Sequence, residues 1–210
     1  MDQSDFDRPQ NDPRAQRVIR SIERFATEFD RRVPREHANE VLYSSVALKG
    51  EVIRQGPERF IEEHLIRDVA DALGYQYRPQ PKGFDGLGDD TPDFTITNVD
   101  VTVIGELKAP NGIKKAQSES ISYLDQAEDR PLVGIASDGW TWIKYTASEG
   151  DQPTFSDHCS LRKVIRDVAR EQAVDKSPRR NRSELRRRCY NFVSAFSAED
   201  IGKSVESKQG

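Results

Sequence analysis

The stretch from Pro92 to Lys108, PDFTITNVDVTVIGELK, constrains this chain more than any other. Val, Ile and Thr dominate both halves, Asn98-Val99-Asp100 supplies turn chemistry between them, and apolar and polar residues alternate through the second half. These features predict a β-hairpin. Side chains alternate across a strand, so Thr102, Ile104, Glu106 and Lys108 share one face while Val101, Val103, Gly105 and Leu107 share the other. Neighbouring strands lie about 4.8 Å apart, so a simple hairpin register carries Asp93, at the head of the first strand, to the tail of the second. Two carboxylates and an ammonium then converge.

Such a cluster suits Mg²⁺-assisted chemistry on a phosphodiester, because it sets two hard oxygen ligands beside a cation that positions water and offsets charge on a phosphate. The same residues also fit a solvated strand end on which Glu106 and Lys108 merely alternate with buried neighbours. The surrounding chain has to decide between the two.

Upstream, Gly56-Pro57 opens the helical segment ERFIEEHLIRDVADAL, with Pro at the first helical position and Gly74 as a left-handed stop. At 100° per residue, Ile61, Leu65, Ile66, Val69, Ala72 and Leu73 form an apolar arc, with Glu58 and Glu62 near its middle and Glu63 outside it. A carboxylate on such a stripe needs a partner, a metal or a proton. Glu58 is also explained as a first-turn acid favoured by the helix dipole, and Glu62 as half of an ion pair with an Arg from elsewhere. Tyr75 to Arg78 reads as a short strand, followed by the loop PQPKGFDGLGDDT, whose Asp85, Asp89 and Asp90 are turn formers.

After the hairpin, Pro110-Asn111-Gly112 makes a turn and IKKAQSESISYLDQA a helix with Ile113, Ala116, Tyr123, Leu124 and Ala127 inward. LVGIAS is a strand buried on both faces, and Asp138-Gly139 turns it into WTWIKYTA. Trp140 and Trp142 are expected in the core rather than stacking on bases.

The flanks are helical. Residues 1–15 have almost nothing to bury and are expected to be disordered. Residues 16–55 hold two accessory helices, one running from Arg17 until before Pro34 and one from about Glu36 to Leu48, with Gly50 interrupting the chain after it. Residues 56–147 form the core, residues 158–196 carry two basic helices, and residues 197–210 read as a frayed tail. Between Arg162 and Arg188 there are eleven Lys and Arg against four Asp and Glu, a basic arm on a chain whose net charge is −4. It reads either as a phosphate-backbone contact through Arg179, Arg180, Arg182, Arg186 and Arg187 or as a solvated helix face.

No apolar run approaches the roughly 18 residues of a membrane helix. The start, MDQSDFDRPQNDPR, lacks the pattern of a signal peptide, which points to a cytoplasmic protein without a membrane partner. Cys159, Cys189, His37, His64 and His158 show no zinc-ligand spacing, and the thiols are read as structural.

Taken together, the order is a helix with an inward Glu, a strand, a Pro-Asp strand, a Glu-x-Lys strand, a helix and two strands. In that order the chain resembles the PD-(D/E)xK nuclease superfamily. The stretch from about Glu58 to Tyr145 is most similar to the N-terminal nuclease domain of type I restriction enzyme motor subunits, through GPERFIEEHLIRDVADALGY, PDF, GELKAP and GIASDGWTWIKY. The resemblance implies an α/β fold with a restriction-endonuclease-like α-β-β-β-α-β core and a central mixed sheet. It implies Asp93 and Glu106 as metal-binding carboxylates, Lys108 as the residue that positions the attacking water, Glu58 or Glu62 as the helix acid of the metal site, and the Leu107 carbonyl as a further metal contact. Gln117 would lie near the scissile phosphate, although relatives carry Gln and Tyr about a turn apart and here Gln117 and Tyr123 are six residues apart.

The expected activity is Mg²⁺- or Mn²⁺-dependent hydrolysis of DNA in restriction-modification, defence or repair. DNA is the expected partner, and since no helicase motor follows the nuclease-like stretch, the chain is expected to be either a stand-alone nuclease-like protein or a piece that works with other subunits of a restriction or defence complex. The alternatives are a nuclease-fold module that binds nucleic acid through residues 162–188 without cutting, and a complex-assembly subunit that docks through its N-terminal helices.

Overall fold

A computed structural model describes residues 12–87, 90–128, 132–148, 150–173 and 182–206. The fold is α/β: a six-stranded mixed sheet flanked by helices. The chain opens with α1 (Pro13–Arg32), α2 (Arg35–Tyr43) and the short α3 (Gly50–Ile53). A continuous helical rod follows, made of α4 (Pro57–Ile61), a π-helical segment (Glu62–Ile66) and α5 (Arg67–Ala72). Gly74, at φ +83°, ends the rod as expected.

The sheet runs β1 (Tyr77–Pro79), β2 (Phe94–Ile96), β3 (Thr102–Leu107), β4 (Leu132–Ser137), β5 (Thr141–Ala147) and β6 (Thr154–Ser160), in that spatial order. Only β3 and β4 are parallel, and the crossover between them is α6 (Ile113–Gln126). Three helices close the chain, α7 (Arg162–Ala173), α8 (Arg182–Phe196) and α9 (Ala198–Glu206).

Alternation along β3 and β4 divides the interior in two. Val103, Leu107, Val133 and Ile135 face the larger core, shared with α1, the α4–α5 rod, α7 and α8, whereas Ile104, Leu132 and Ala136 face α6. On the larger face Phe25 and Phe29 of α1 meet Trp140 edge-on at 5.7 and 6.5 Å, and Phe192 and Phe196 of α8 meet Trp142 in the same way. Both tryptophans therefore do core work, as expected. Helix α1 fills one face of the sheet rather than adding a layer outside it.

Four expectations are corrected. Disorder over residues 1–15 does not hold for residues 12–15. Asp12 caps α1 by accepting from the backbone N–H of Arg14 and Ala15 at 2.7 and 3.0 Å, Pro13 takes the first turn, and Ala15 is buried. Residues 1–11 lie outside the described residues. The second helix stops at Tyr43, five residues early, because Ser45 takes a left-handed φ of 58°, and the chain resumes a helix at Gly50 with α3.

Strand β6 was not expected. Its segment TFSDHCS is polar because it is an edge strand, yet it pairs antiparallel with β5 along its length. The frayed tail is in fact α9. Ala198 N–H donates to Leu73 O at 3.1 Å, Ile201 is fully buried, and Asp200 accepts from the buried Lys144 ammonium at 2.5 Å. Residues 207–210 lie outside the described residues. Among the described residues no helix is long and apolar enough to cross a membrane.

Candidate active site

Pro92 to Lys108 folds as the predicted hairpin. Phe94 of β2 pairs with Gly105 of β3, so the residue before Phe94 lies across from the one after Gly105, which sets Asp93 opposite Glu106. Asp93 is held from both sides. Its carbonyl accepts from Gln80 N–H at 2.8 Å, and its carboxylate Oδ2 accepts from Leu107 N–H at 2.7 Å. The Phe94 ring lies flat over Gly105, and a Cβ there would sit 2.2 Å from it. The sequence Gly-Glu-Leu-Lys therefore needs its glycine to let the aromatic of Pro-Asp-Phe pack down.

Lys108 ends the strand. Its backbone N–H donates to Ser137 O at 2.9 Å, which ties it to the matching end of the parallel strand β4. Its ammonium donates to Glu106 Oε1 and to Leu107 O, the latter at 2.9 Å, lies 2.7 Å from Glu119 Oε2 on α6, and is 3.9 Å from Asp93 Oδ2. Glu106 is only 3% exposed and Lys108 only 7%. Burial and a hydrogen bond with Glu119 push the Glu106 carboxyl up to about 9, against the pull of Lys108. Glu119 moves the other way, lowered by its hydrogen bond with Glu106 and by Lys108. The two carboxyls thus share one proton at neutral pH, the usual outcome for adjacent acids. Burial opposes the Lys108 charge, but hydrogen bonds to Glu106 and Glu119 outweigh it and hold the ammonium charged.

A cleft of about 380 Å³ opens beside Asp93, lined also by Glu58, Glu62, Arg67, Gln80 and Leu107. Glu58 is exposed on the first turn rather than on the apolar arc. Glu62 is only partly exposed, and its Oε1 accepts from Arg67 Nη2 at 2.9 Å and from the Tyr77 hydroxyl at 3.1 Å. The ion-pair partner expected from elsewhere is five residues along the same helix, at the spacing a π-helical turn brings together. Tyr77 stacks on Phe94 at 5.1 Å, so one packed column runs from Glu62 through two rings to Gly105.

Other candidates lie elsewhere. Gln117 donates to the Tyr145 hydroxyl at 2.8 Å on β5 and has no described contact with Lys108. Arg182 and Arg186 line a separate groove with Arg20 and Glu23 of α1, and Arg187 pairs with Glu184 at 2.8 Å. Arg179 and Arg180 fall outside the described residues. Within the basic arm, Arg162 reaches Asn111 Oδ1 at 2.6 Å and Arg166 reaches Leu42 O at 2.5 Å, so both brace loops. Burial pushes the Cys159 and Cys189 thiols up to about 11 and about 12, which leaves them poor nucleophiles.

Glu119 is the residue that sequence reasoning missed. Its signal was the four-residue spacing to Tyr123, which puts both on one face of α6. The Tyr123 hydroxyl is raised by burial and then by Glu106, Asp90, Glu119 and Asp93, so it faces the same acids.

Asp93, Glu106 and the Leu107 carbonyl supply the hard oxygens that Mg²⁺ or Mn²⁺ prefers. In this conformation they surround the Lys108 ammonium. Among the described residues no three His, Cys, Asp or Glu side chains stand ready as a metal-holding group. No family model, curated protein or solved structure matches the chain.

Proposed function

We propose that this protein is a DNA endonuclease with a restriction-endonuclease-like core, hydrolysing phosphodiester bonds with Mg²⁺ or Mn²⁺ in restriction, defence or repair. The observation that carries the reading is the meeting of Asp93, Glu106 and Lys108 at the end of β3, beside a cleft that Glu62 and Glu58 also line.

Asp93, Glu106 and the Leu107 carbonyl would hold the cation, with Glu62 on the cleft wall. A bound divalent cation would reverse the sign of this acid-rich site, polarise the phosphate and lower the pKa of an attacking water. Each side chain is preorganised for its part. The Leu107 N–H fixes the Asp93 carboxylate, so its second oxygen remains for a ligand. The Ser137 carbonyl anchors the Lys108 backbone, leaving the long side chain to orient a water and to offset charge on a phosphate as it develops.

Plasmid, linear and branched DNA incubated with Mg²⁺ or Mn²⁺ tests the reading. Cleavage is expected, and Asp93→Ala and Lys108→Ala should each lower its rate roughly 10²-fold or more. No cleavage under any of these conditions, or cleavage indifferent to both substitutions, would overturn it. Salt-sensitive, metal-independent DNA binding without cutting would instead identify a non-cleaving module that uses the Arg182 and Arg186 groove.

A further inference from the structure

We infer that the Lys108 ammonium is the resident cation of this site, that a divalent ion binds by exchanging with it, and that Glu119 is the carboxylate that receives the ammonium when it leaves. The inference rests on the reading of Asp93, Glu106 and Leu107 as cation-binding groups.

Three facts carry it. The ammonium donates to Glu106 Oε1 and to Leu107 O at 2.9 Å, and Asp93 Oδ2 lies at 3.9 Å, so it occupies the space between all three candidate donors. That space is tight, because Lys108 is 7% exposed and Glu106 3%, and it opens to the cleft at Asp93, which is 37% exposed. Two cations cannot share one such set of oxygens, since each would repel the other at contact distance in a medium that screens poorly. The third fact is Glu119. It lies 2.7 Å from the ammonium on the α6 side and is 35% exposed, and since Asp93, 37% exposed, is itself a candidate ion ligand and Glu106 is buried, Glu119 is the acid left to follow the ammonium towards solvent.

The exchange explains why the acids do not stand as a ready metal group among the described residues. Their geometry is set by a monovalent occupant with hydrogen-bond requirements, and a divalent ion gathers them differently. Glu119 thus acts as a positioning residue through Lys108, and Lys108 both keeps the site neutralised and is freed to act when the metal arrives.

Mn²⁺ binding to the full chain without DNA tests this, read by calorimetry and by thermal shift. Lys108→Met removes the competitor and should tighten Mn²⁺ binding about 10-fold or more. Glu119→Gln removes the receiving carboxylate and should weaken it several-fold. The double variant should match Lys108→Met alone, because without an ammonium there is nothing to receive. Unchanged affinity in Lys108→Met would overturn the exchange, and weakening by Glu119→Gln in the Lys108→Met background would make Glu119 a direct ligand instead. Should Lys108→Met fail to fold, the Lys108 ammonium proton signal in wild-type protein gives the answer by NMR. It should be protected without metal and lost or shifted with Mg²⁺, and an unperturbed signal at saturating Mg²⁺ would sink the idea. The tests separate the two readings: exchange in a protein that cuts no DNA retires the nuclease, and cleavage without exchange retires this inference.

Discussion

Glu106 makes the stability of the fold depend on pH. Its carboxyl is ionised in the unfolded chain above about pH 4.5 but keeps its proton in the fold until about 9, because burial and Glu119 oppose the charge. The folded state therefore binds more protons than the unfolded state across that window, and stability falls as pH rises through it. Glutamine imitates the protonated carboxyl. Glu106→Gln is thus expected to melt close to wild type at pH 5 and several degrees higher at pH 9, in scans without divalent metal. Equal melting temperatures at both values would contradict the shared-proton description. Gly105 carries a different constraint at the same scale. Any side chain there meets the Phe94 ring at 2.2 Å, so Gly105→Ala should cost about 1–3 kcal/mol by overpacking and move Asp93 with the displaced ring. Urea unfolding measures the cost, and a neutral outcome would mean that the hairpin adjusts freely.

At the scale of elements, two local irregularities were invisible to pattern reading. The π-helical turn at Glu62–Ile66 brings Glu62 and Arg67 together and sets Glu62 against Tyr77, where a regular helix would have placed it on the apolar arc. Helix α9 has one buried apolar residue among those described, Ile201, and no sequence signal beyond its acidic start. Its docking depends on Lys144, a lysine 1% exposed on β5, which reaches Asp200 at 2.5 Å, Ala195 O at 2.8 Å and Asp157 at 3.3 Å. A chain ended after Ser197 leaves that ammonium with less compensation and takes the Ile201 side chain out of the core. It should lose about 2–4 kcal/mol, mostly from the buried Ile201 side chain, since Asp200 is 34% exposed and Asp157 and the Ala195 carbonyl still meet the ammonium. Chemical denaturation would read the loss, and a loss below about 1 kcal/mol would make α9 a passive appendage.

The whole molecule is organised by its two tryptophans. Trp140 is packed by α1 and Trp142 by α8, so both ends of the chain are needed to bury the centre of the sheet. Residues 56–147 are consequently not expected to fold alone. Expressed by itself this stretch should show red-shifted tryptophan fluorescence and no cooperative melt, whereas the full chain should melt in one transition. A fragment with a sharp transition would show that the flanking helices are accessory after all.

Much of the fold was legible because its signals are local. The stripe Val18, Ile22, Phe25 and Phe29, the capped rod from Pro57 to Gly74, the alternation in β3 and the nearly all-apolar β4 each announce an element within ten to twenty residues. The meeting of Asp93 with Glu106 was legible too, since a hairpin register relates residues close in sequence. Edge strand β6, helix α9 and the Glu119 contact were not. Each depends on a partner distant in the chain: β5 for the polar strand, Lys144 for the polar helix, and Lys108 for an acid on a solvent-facing turn. The sequence by itself determined which residues would line the strand end, because periodicity dictates faces. Only the tertiary structure decided that their charges close around one ammonium, because that outcome depends on how α6 packs over the sheet and on how little water reaches Glu106.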